Sequence, residues 1–243
     1  MEVSLKRRIW RLVMMATPLP TLAKPQGSSF WQGHWKERQP DAELAGYAKP
    51  TDLKKWFARQ IVDLSPKSVL EFGCNVGGNL KQIGALDESI ALNGIELNER
   101  AIAFGKEKVL PGTASITRGS MADARSLFPD AVDVVFTSAA AMHCDDEIFA
   151  KAKDAALSIA RKAIVHLEFH AWTPADLHNC RSWRSSFLSD RWIRDYVSEY
   201  EGHSRVASIE TRAVPLSINP MDAIGRLKVC DITGLVIVHL HPQ

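Results

Sequence analysis

At 243 residues, 46% of them hydrophobic and 24% charged, the chain has the size and composition of one globular domain with some elaboration, and too little length for two full domains. Its formal net charge of +2, with lysines and arginines scattered, argues against a nucleic-acid surface, which shows as a basic stripe or cluster. Cys74, Cys144, Cys180 and Cys230 stand far apart, with no C-x-x-C pair and no histidine at ligand spacing, so neither a metal site nor a disulfide framework is expected, and a reducing cytoplasm fits.

Residues 1–15 set Lys6, Arg7, Arg8 and Arg11 among apolar side chains. Arg11 interrupts the apolar run, so the segment reads as an amphipathic helix packed on the domain or covering its site, in preference to a signal peptide or a membrane-surface anchor. No run of about 18 apolar residues is present to span a membrane. Residues 16–50 carry Pro18, Pro20, Pro25, Pro40 and Pro50, which predicts an ordered linker or lid without helix or strand. Phe30, Trp31, Trp35 and Tyr47 lie within it, and such aromatics either pin the segment to the core or cover a ligand. The second reading makes Trp31, Trp35 and Tyr47 candidate substrate contacts, and the chain divides into a helix and lid segment, 1–50, and a main domain, 51–243.

Thr51 is placed to cap a helix whose apolar residues Leu53, Trp56, Phe57, Ile61 and Leu64 recur at helical spacing, with Pro66 ending it. From there strands at 68–72, 90–95, 114–117, 132–137 and 163–169 alternate with helices at 79–86, 100–109 and 146–160. That alternation predicts right-handed crossovers and a mostly parallel α/β sheet. The stretches 204–214 and 229–239 are strand-like with no long helix between them, which predicts an antiparallel pair closing one edge.

In such a sheet ligands lie beyond the carboxyl ends of the strands. The first strand runs into Glu71-Phe72-Gly73-Cys74-Asn75-Val76-Gly77-Gly78-Asn79, an acid followed by a glycine turn that opens a helix. Asn75 stands where a G-x-G-x-x-G dinucleotide fingerprint needs its middle glycine, so a ligand without a pyrophosphate is favoured. Nineteen residues after Gly77, Glu96 ends the second strand, placed to accept from ribose hydroxyls, with Leu97 beside an adenine face. Read alone, it is equally an exposed acid opening the next helix.

The run from Val69 to Gly77, followed by Glu96, resembles the first two motifs of class I S-adenosylmethionine (SAM)-dependent methyltransferases. Gly119-Ser120-Met121-Ala122-Asp123 and Asp133-Val134-Val135-Phe136-Thr137-Ser138 fall where that family places its third and fourth motifs. Within it, Glu71–Asn79, Gly119–Asp123, Val135–His143 and Arg194-Asp195-Tyr196 are loosely similar to the methylases associated with pseudaminic acid biosynthesis. The resemblance implies a Rossmann-like fold with SAM as cofactor. It places Gly73 and Gly77 near the amino-acid portion, with Glu71, Cys74, Asn75 and Asn79 as further cofactor contacts, Glu96 at the ribose with Leu97 beside it, Ser120 and Met121 at adenine, and Thr137 and Ser138 at the sulfonium. Ala139-Ala140-Ala141 departs from the larger residues of those relatives and implies a different acceptor pocket.

His143 is the candidate base or acceptor-orienting group, against a structural role beside Asp145 or Asp146. Glu168, His170 and Trp172 close the fifth strand, and Glu168 and Trp172 join the candidate substrate contacts. The stretch 178–200 mixes Arg181, Trp183, Arg184, Arg191, Trp192, Arg194 and Tyr196 with enough acids to offset the charge, so it reads as a substrate-capping helix or as one packed on the sheet. These features predict transfer of the SAM methyl group to a small-molecule acceptor in biosynthesis. The alternative is a SAM-cyclising enzyme similar to azetidine-2-carboxylate synthases, in which the SAM amine attacks its own γ-carbon and methylthioadenosine leaves. A protein that binds SAM without turnover is the third reading.

Overall fold

The computed structural model describes residues 40–172, 192, 194–215, 217–218 and 233–242. The expected helix at 1–15, the aromatics Phe30, Trp31 and Trp35, and the basic-aromatic residues Arg181, Trp183, Arg184 and Arg191 lie outside the described residues.

The first described element corrects the expectation of a helix-free segment up to residue 50: α1 runs Asp41–Ala48. Pro40 sets an extended entry, and Asp41 and Glu43 place negative charge on the first turn, where the helix dipole favours it. A single fully buried anchor, Leu44, packs with Val76, Ala101 and Val109. One anchor in eight residues leaves no helical periodicity to read. Helix α2, Asp52–Val62, begins as predicted, with Thr51 Oγ1 accepting from the Lys54 amide at 3.2 Å and Phe57, Ala58 and Ile61 buried.

The remaining chain alternates β1 (Ser68–Phe72), α3 (Gly78–Leu86), β2 (Ala91–Glu96), α4 (Glu99–Lys108), β3 (Ser115–Arg118), the short α5 (Ala124–Leu127), β4 (Val132–Ser138), α6 (Asp146–Ile159) and β5 (Ala160–Phe169). Helix α7 (Tyr196–Tyr200) and strands β6 (Val206–Ala213) and β7 (Thr233–Leu240) follow. Strand order is β3-β2-β1-β4-β5-β7-β6, with β1 to β5 parallel and β7 antiparallel to both neighbours. The expected antiparallel edge pair is therefore present.

Side chains that alternate along β4 go to opposite layers, as the two-residue period of a strand requires. Val134 and Phe136 meet Phe57, Ile61, Leu80 and Ile83 on the α2–α3 side. Val135 instead joins Phe149, Ala152, Ala156, Tyr196 and Tyr200 on the α6–α7 side. Both faces are covered, which explains why β1, β4 and β5 read as continuous apolar runs. Order reverses between β1 and β4, so their carboxyl ends open a crevice there. Among the described residues, no helix is long and apolar enough to cross a membrane.

Candidate active site

The turn from β1 into α3 builds the floor of that crevice. Gly73, Asn75 and Gly77 all take left-handed backbone angles, with φ of 72°, 49° and 78°. Asparagine tolerates this region better than most residues, so Asn75 keeps the turn that its position in the motif demands. Its Oδ1 accepts from the Val76 amide at 2.8 Å. A Cβ on Gly73 would lie 2.7 Å from Ala140 Cβ and 3.6 Å from Met121 Cε, so the missing side chain leaves room where three loops converge. A Cβ on Gly77 would meet Leu110 at 2.7 Å, which assigns that glycine to packing behind the turn.

Glu96 fastens this turn to the next one. Its two oxygens accept from the Asn75 amide at 2.7 Å and the Asn98 amide at 2.8 Å. Burial raises its pKa, against the lowering effect of the amides of Asn98, Asn75 and Leu97. The carboxylate has about four lone-pair sites, so capacity remains for a ligand hydroxyl.

Glu71 is 1% exposed, with Oε1 accepting from Asn79 Nδ2 at 2.7 Å. Its Oε2 has no hydrogen-bond partner among the described residues. Burial pushes this carboxyl up to about 8, opposed by the Asn79 bond and by the charge of Lys54. A buried acceptor without a donor is costly, and a ligand cation or N–H donor would relieve it. Between the ordinary value of 4.5 and about 8 the folded chain holds a proton that the unfolded chain has released. Stability of the ligand-free protein is therefore expected to fall as pH rises through that window. Denaturant titrations from about pH 5 to about pH 8 should show the fall in the wild type and a flatter profile in Glu71→Gln.

These groups surround a cavity of about 650 Å³. Of the residues singled out in the sequence, Tyr47, Glu71, Gly73, Cys74, Asn75, Asn79, Glu96, Leu97, Ser120, Met121, Ser138 and His143 line it. Gly77, Thr137, Glu168 and Trp172 do not. Thr137 was placed at the sulfonium by resemblance, yet it is buried beneath the cavity wall with Oγ1 2.8 Å from His166 Nδ1. His166 bonds Tyr200 Oη on its other side at 2.8 Å, and burial, with Arg194 and His170 nearby, drives its pKa down to about 3, so the ring is neutral. Trp172 instead packs edge-on to His170, with ring centroids 4.9 Å apart.

Glu168, read as a substrate contact, is fully buried and turned to the backbone. It accepts from the amides of Ala140 at 2.9 Å, Ala141 at 3.0 Å and Met142 at 3.2 Å. Arg194 grips the same loop from its carbonyl side, bonding Ala141 O at 3.1 Å, Cys144 O at 2.7 Å and Asp146 Oδ1 at 3.1 Å. Its guanidinium lies 4.4 Å from the Phe149 ring centroid. This double grip holds Ala139 at φ 52°, a conformation alanine rarely adopts, and so sets the wall that carries Ser138, Ala139, Ala140 and His143.

Sequence reasoning missed several lining residues. Lys54 lies three positions after the Thr51 cap, where a lysine reads as solvated surface; Met142, Cys144 and Ile148 follow β4 and look like core. Burial raises the Cys74 thiol well above its ordinary range and pushes Cys144 up to about 12, so neither is suited to act as a thiolate nucleophile.

No family model and no curated protein matches the chain. Among solved structures, the plantazolicin methyltransferase BpumL in complex with a triazolic desmethylPZN analog and SAH is similar over 99% of this chain and 100% of its own, with 12% identity and a TM-score of 0.58. The methyltransferase domain of bacterial CtHen1-CN is similar over 77% of this chain and 97% of its own, with 15% identity and a TM-score of 0.55. Together with the strand order, these likenesses give the chain the class I methyltransferase fold.

Proposed function

We propose that the chain is a SAM-dependent methyltransferase acting on a small-molecule acceptor. The observation that carries this reading is the unpartnered Glu71 Oε2 beside the glycine turn, in a cavity whose other carboxylate, Glu96, ends β2. A ligand bearing an ammonium and a sulfonium supplies the positive charge and the donor that this arrangement lacks. The similar fold of BpumL, solved with SAH, supports it further.

In this reading Glu71, Asn75 and Asn79 take the amino-acid end, Glu96 the ribose, and Leu97, Ser120 and Met121 the adenine. When bound, SAM supplies a methyl group activated by a cationic sulfur. Ser138, Ala139 and Ala140 form the wall facing it, and their small side chains leave room for an acceptor. Holding the reacting atoms in line and excluding water can lower a barrier by roughly 7–11 kcal/mol, so the chain need not supply a strong base. His143 orients the acceptor from the same wall, and Tyr47 closes the opposite side.

Mass spectrometry of SAM incubated with the protein and fractionated small-molecule extracts tests the proposal. Formation of SAH together with a product heavier by one methylene, only where a particular fraction is present, is expected. Methylthioadenosine and a cyclic amino acid formed from SAM alone would replace methyl transfer by intramolecular cyclisation.

A further inference from the structure

Behind the loop that follows β4, four buried polar side chains from α7, β5 and β4 form one hydrogen-bonded series. Tyr200 Oη lies 2.8 Å from His166 Nε2, and His166 Nδ1 lies 2.8 Å from Thr137 Oγ1. The Thr137 hydroxyl also bonds the Glu168 carboxylate, which accepts from the amides of Ala140, Ala141 and Met142. The series therefore ends on the loop whose Ala139, Ala140, Met142 and His143 line the cavity. Thr137 and His166 do not line it, so any effect they have on a ligand passes through that loop.

Such a series can run in one of two directions, because a neutral imidazole carries one N–H and one bare nitrogen. Its two ends select the same direction. Burial raises the Glu168 pKa, but the amides of Ala140 and Ala141, the Thr137 hydroxyl and the Met142 amide all oppose that rise. Four converging donors suit a carboxylate that only accepts, so Thr137 donates to Glu168 and its oxygen accepts from His166. At the other end, among the described residues, the acceptor that the Tyr200 hydroxyl meets is His166 Nε2. Both conditions put the ring proton on Nδ1 and leave Nε2 bare. A second ring proton is opposed by burial, by the Arg194 guanidinium and by His170. Tyr196 and Phe149 flank the ring at centroid distances of 4.6 Å and 6.2 Å, within the apolar layer on the α6 side.

We propose that His166 and Thr137 are positioning residues: the directed series from Tyr200 through His166 and Thr137 to Glu168 fixes that carboxylate against the Ala140–Met142 amides and so sets the wall of the SAM crevice. The role at the crevice rests on the SAM reading above, whereas the direction of the series depends on no ligand. Removing the Thr137 hydroxyl takes away one of the four donors to Glu168 and strands the His166 Nδ1 proton, while leaving every cavity-lining side chain in place.

Nitrogen-15 NMR of the histidine-labelled full chain without ligand reads the direction, with His166 identified by its contacts to the Tyr196 and Tyr200 rings. A neutral ring protonated on Nδ1 is expected. Protonation on Nε2, or on both nitrogens near neutral pH, would overturn the proposal without requiring any variant. Calorimetric titration with SAH reads the positioning. Thr137→Val keeps the side-chain shape without the hydroxyl and is expected to weaken SAH by about tenfold, the worth of one hydrogen bond to a charged group. Thr137→Ser restores the hydroxyl and is expected to bind within about threefold of the wild type. Wild-type affinity in Thr137→Val, or equal weakening in both variants, would overturn the positioning role. A wild-type protein that binds no SAH would remove the SAM reading and the role at the crevice with it, and the NMR result would still decide the direction of the series.

Discussion

Glu168→Ala is expected to destabilise the protein by about 3–5 kcal/mol and to lower its melting temperature by about 10 °C. The carboxylate is fully buried and satisfies three successive backbone amides, those of Ala140, Ala141 and Met142. Its removal strands those donors in a site that Arg194 and the sheet keep from water, and each buried unsatisfied donor costs about 1–3 kcal/mol. The same loop holds Ala139 in left-handed backbone, so the freed segment also has strain to release. Glu168→Gln separates charge from shape: one amide oxygen can still accept, but the amide nitrogen then confronts a backbone N–H, and an intermediate loss is expected. Differential scanning calorimetry of the two variants checks both figures, and a melting temperature unchanged in Glu168→Ala would show that Arg194 and packing hold the loop without the carboxylate.

Glu96→Gln is expected to weaken SAH binding by about 100-fold while costing less stability than Glu168→Ala. Glu96 joins the β1–α3 turn to the β2–α4 turn by accepting from Asn75 and Asn98 at once. A glutamine accepts one of those amides and opposes the other, so the two turns lose their fixed spacing. In the proposed complex it would also present fewer acceptors to the ribose of SAH. Two charged hydrogen bonds at about 1.5 kcal/mol each give roughly the stated factor. Isothermal titration calorimetry with SAH measures it, and a loss below about threefold would remove Glu96 from the binding site and leave it a loop brace.

The comparison of these two acids explains what the sequence reveals of the site and what it conceals. Glu96 is legible because its place follows from the chain: an acid closing β2 a fixed distance after a glycine turn sits at the switch point of any such sheet. Glu168 also closes a strand, β5, and its type invites the same reading, but which way a strand-end side chain turns depends on the backbone of a loop 26 to 28 residues away in sequence. Thr137 is concealed for a related reason, since its hydroxyl faces His166 on the neighbouring strand. Lys54 was missed because the α2 surface it leaves is polar, and only tertiary packing turns its long side chain toward α3.

At the level of the fold, strands β1 to β5 and helices α2, α3, α4 and α6 follow from hydrophobic period and glycine punctuation, whereas the four residues of α5 are too few to show a period. Strand β5 begins at Ala160, three residues before its apolar run, because Ala160 pairs with Val132 across a shift in the β4–β5 register. Helix α1 escaped notice because prolines bracket it and only Leu44 is buried in it. Short 3-10 turns at Met121–Asp123 and Ala141–His143 carry cavity-lining residues and have no periodicity long enough to read.

Titration of SAH into the wild-type protein, with NAD as a parallel ligand, tests most directly whether the crevice between β1 and β4 holds SAM. Saturable one-to-one binding of SAH, with no comparable binding of NAD, is the predicted result. A folded protein that shows no SAH binding, or that binds NAD as well or better, would contradict the account.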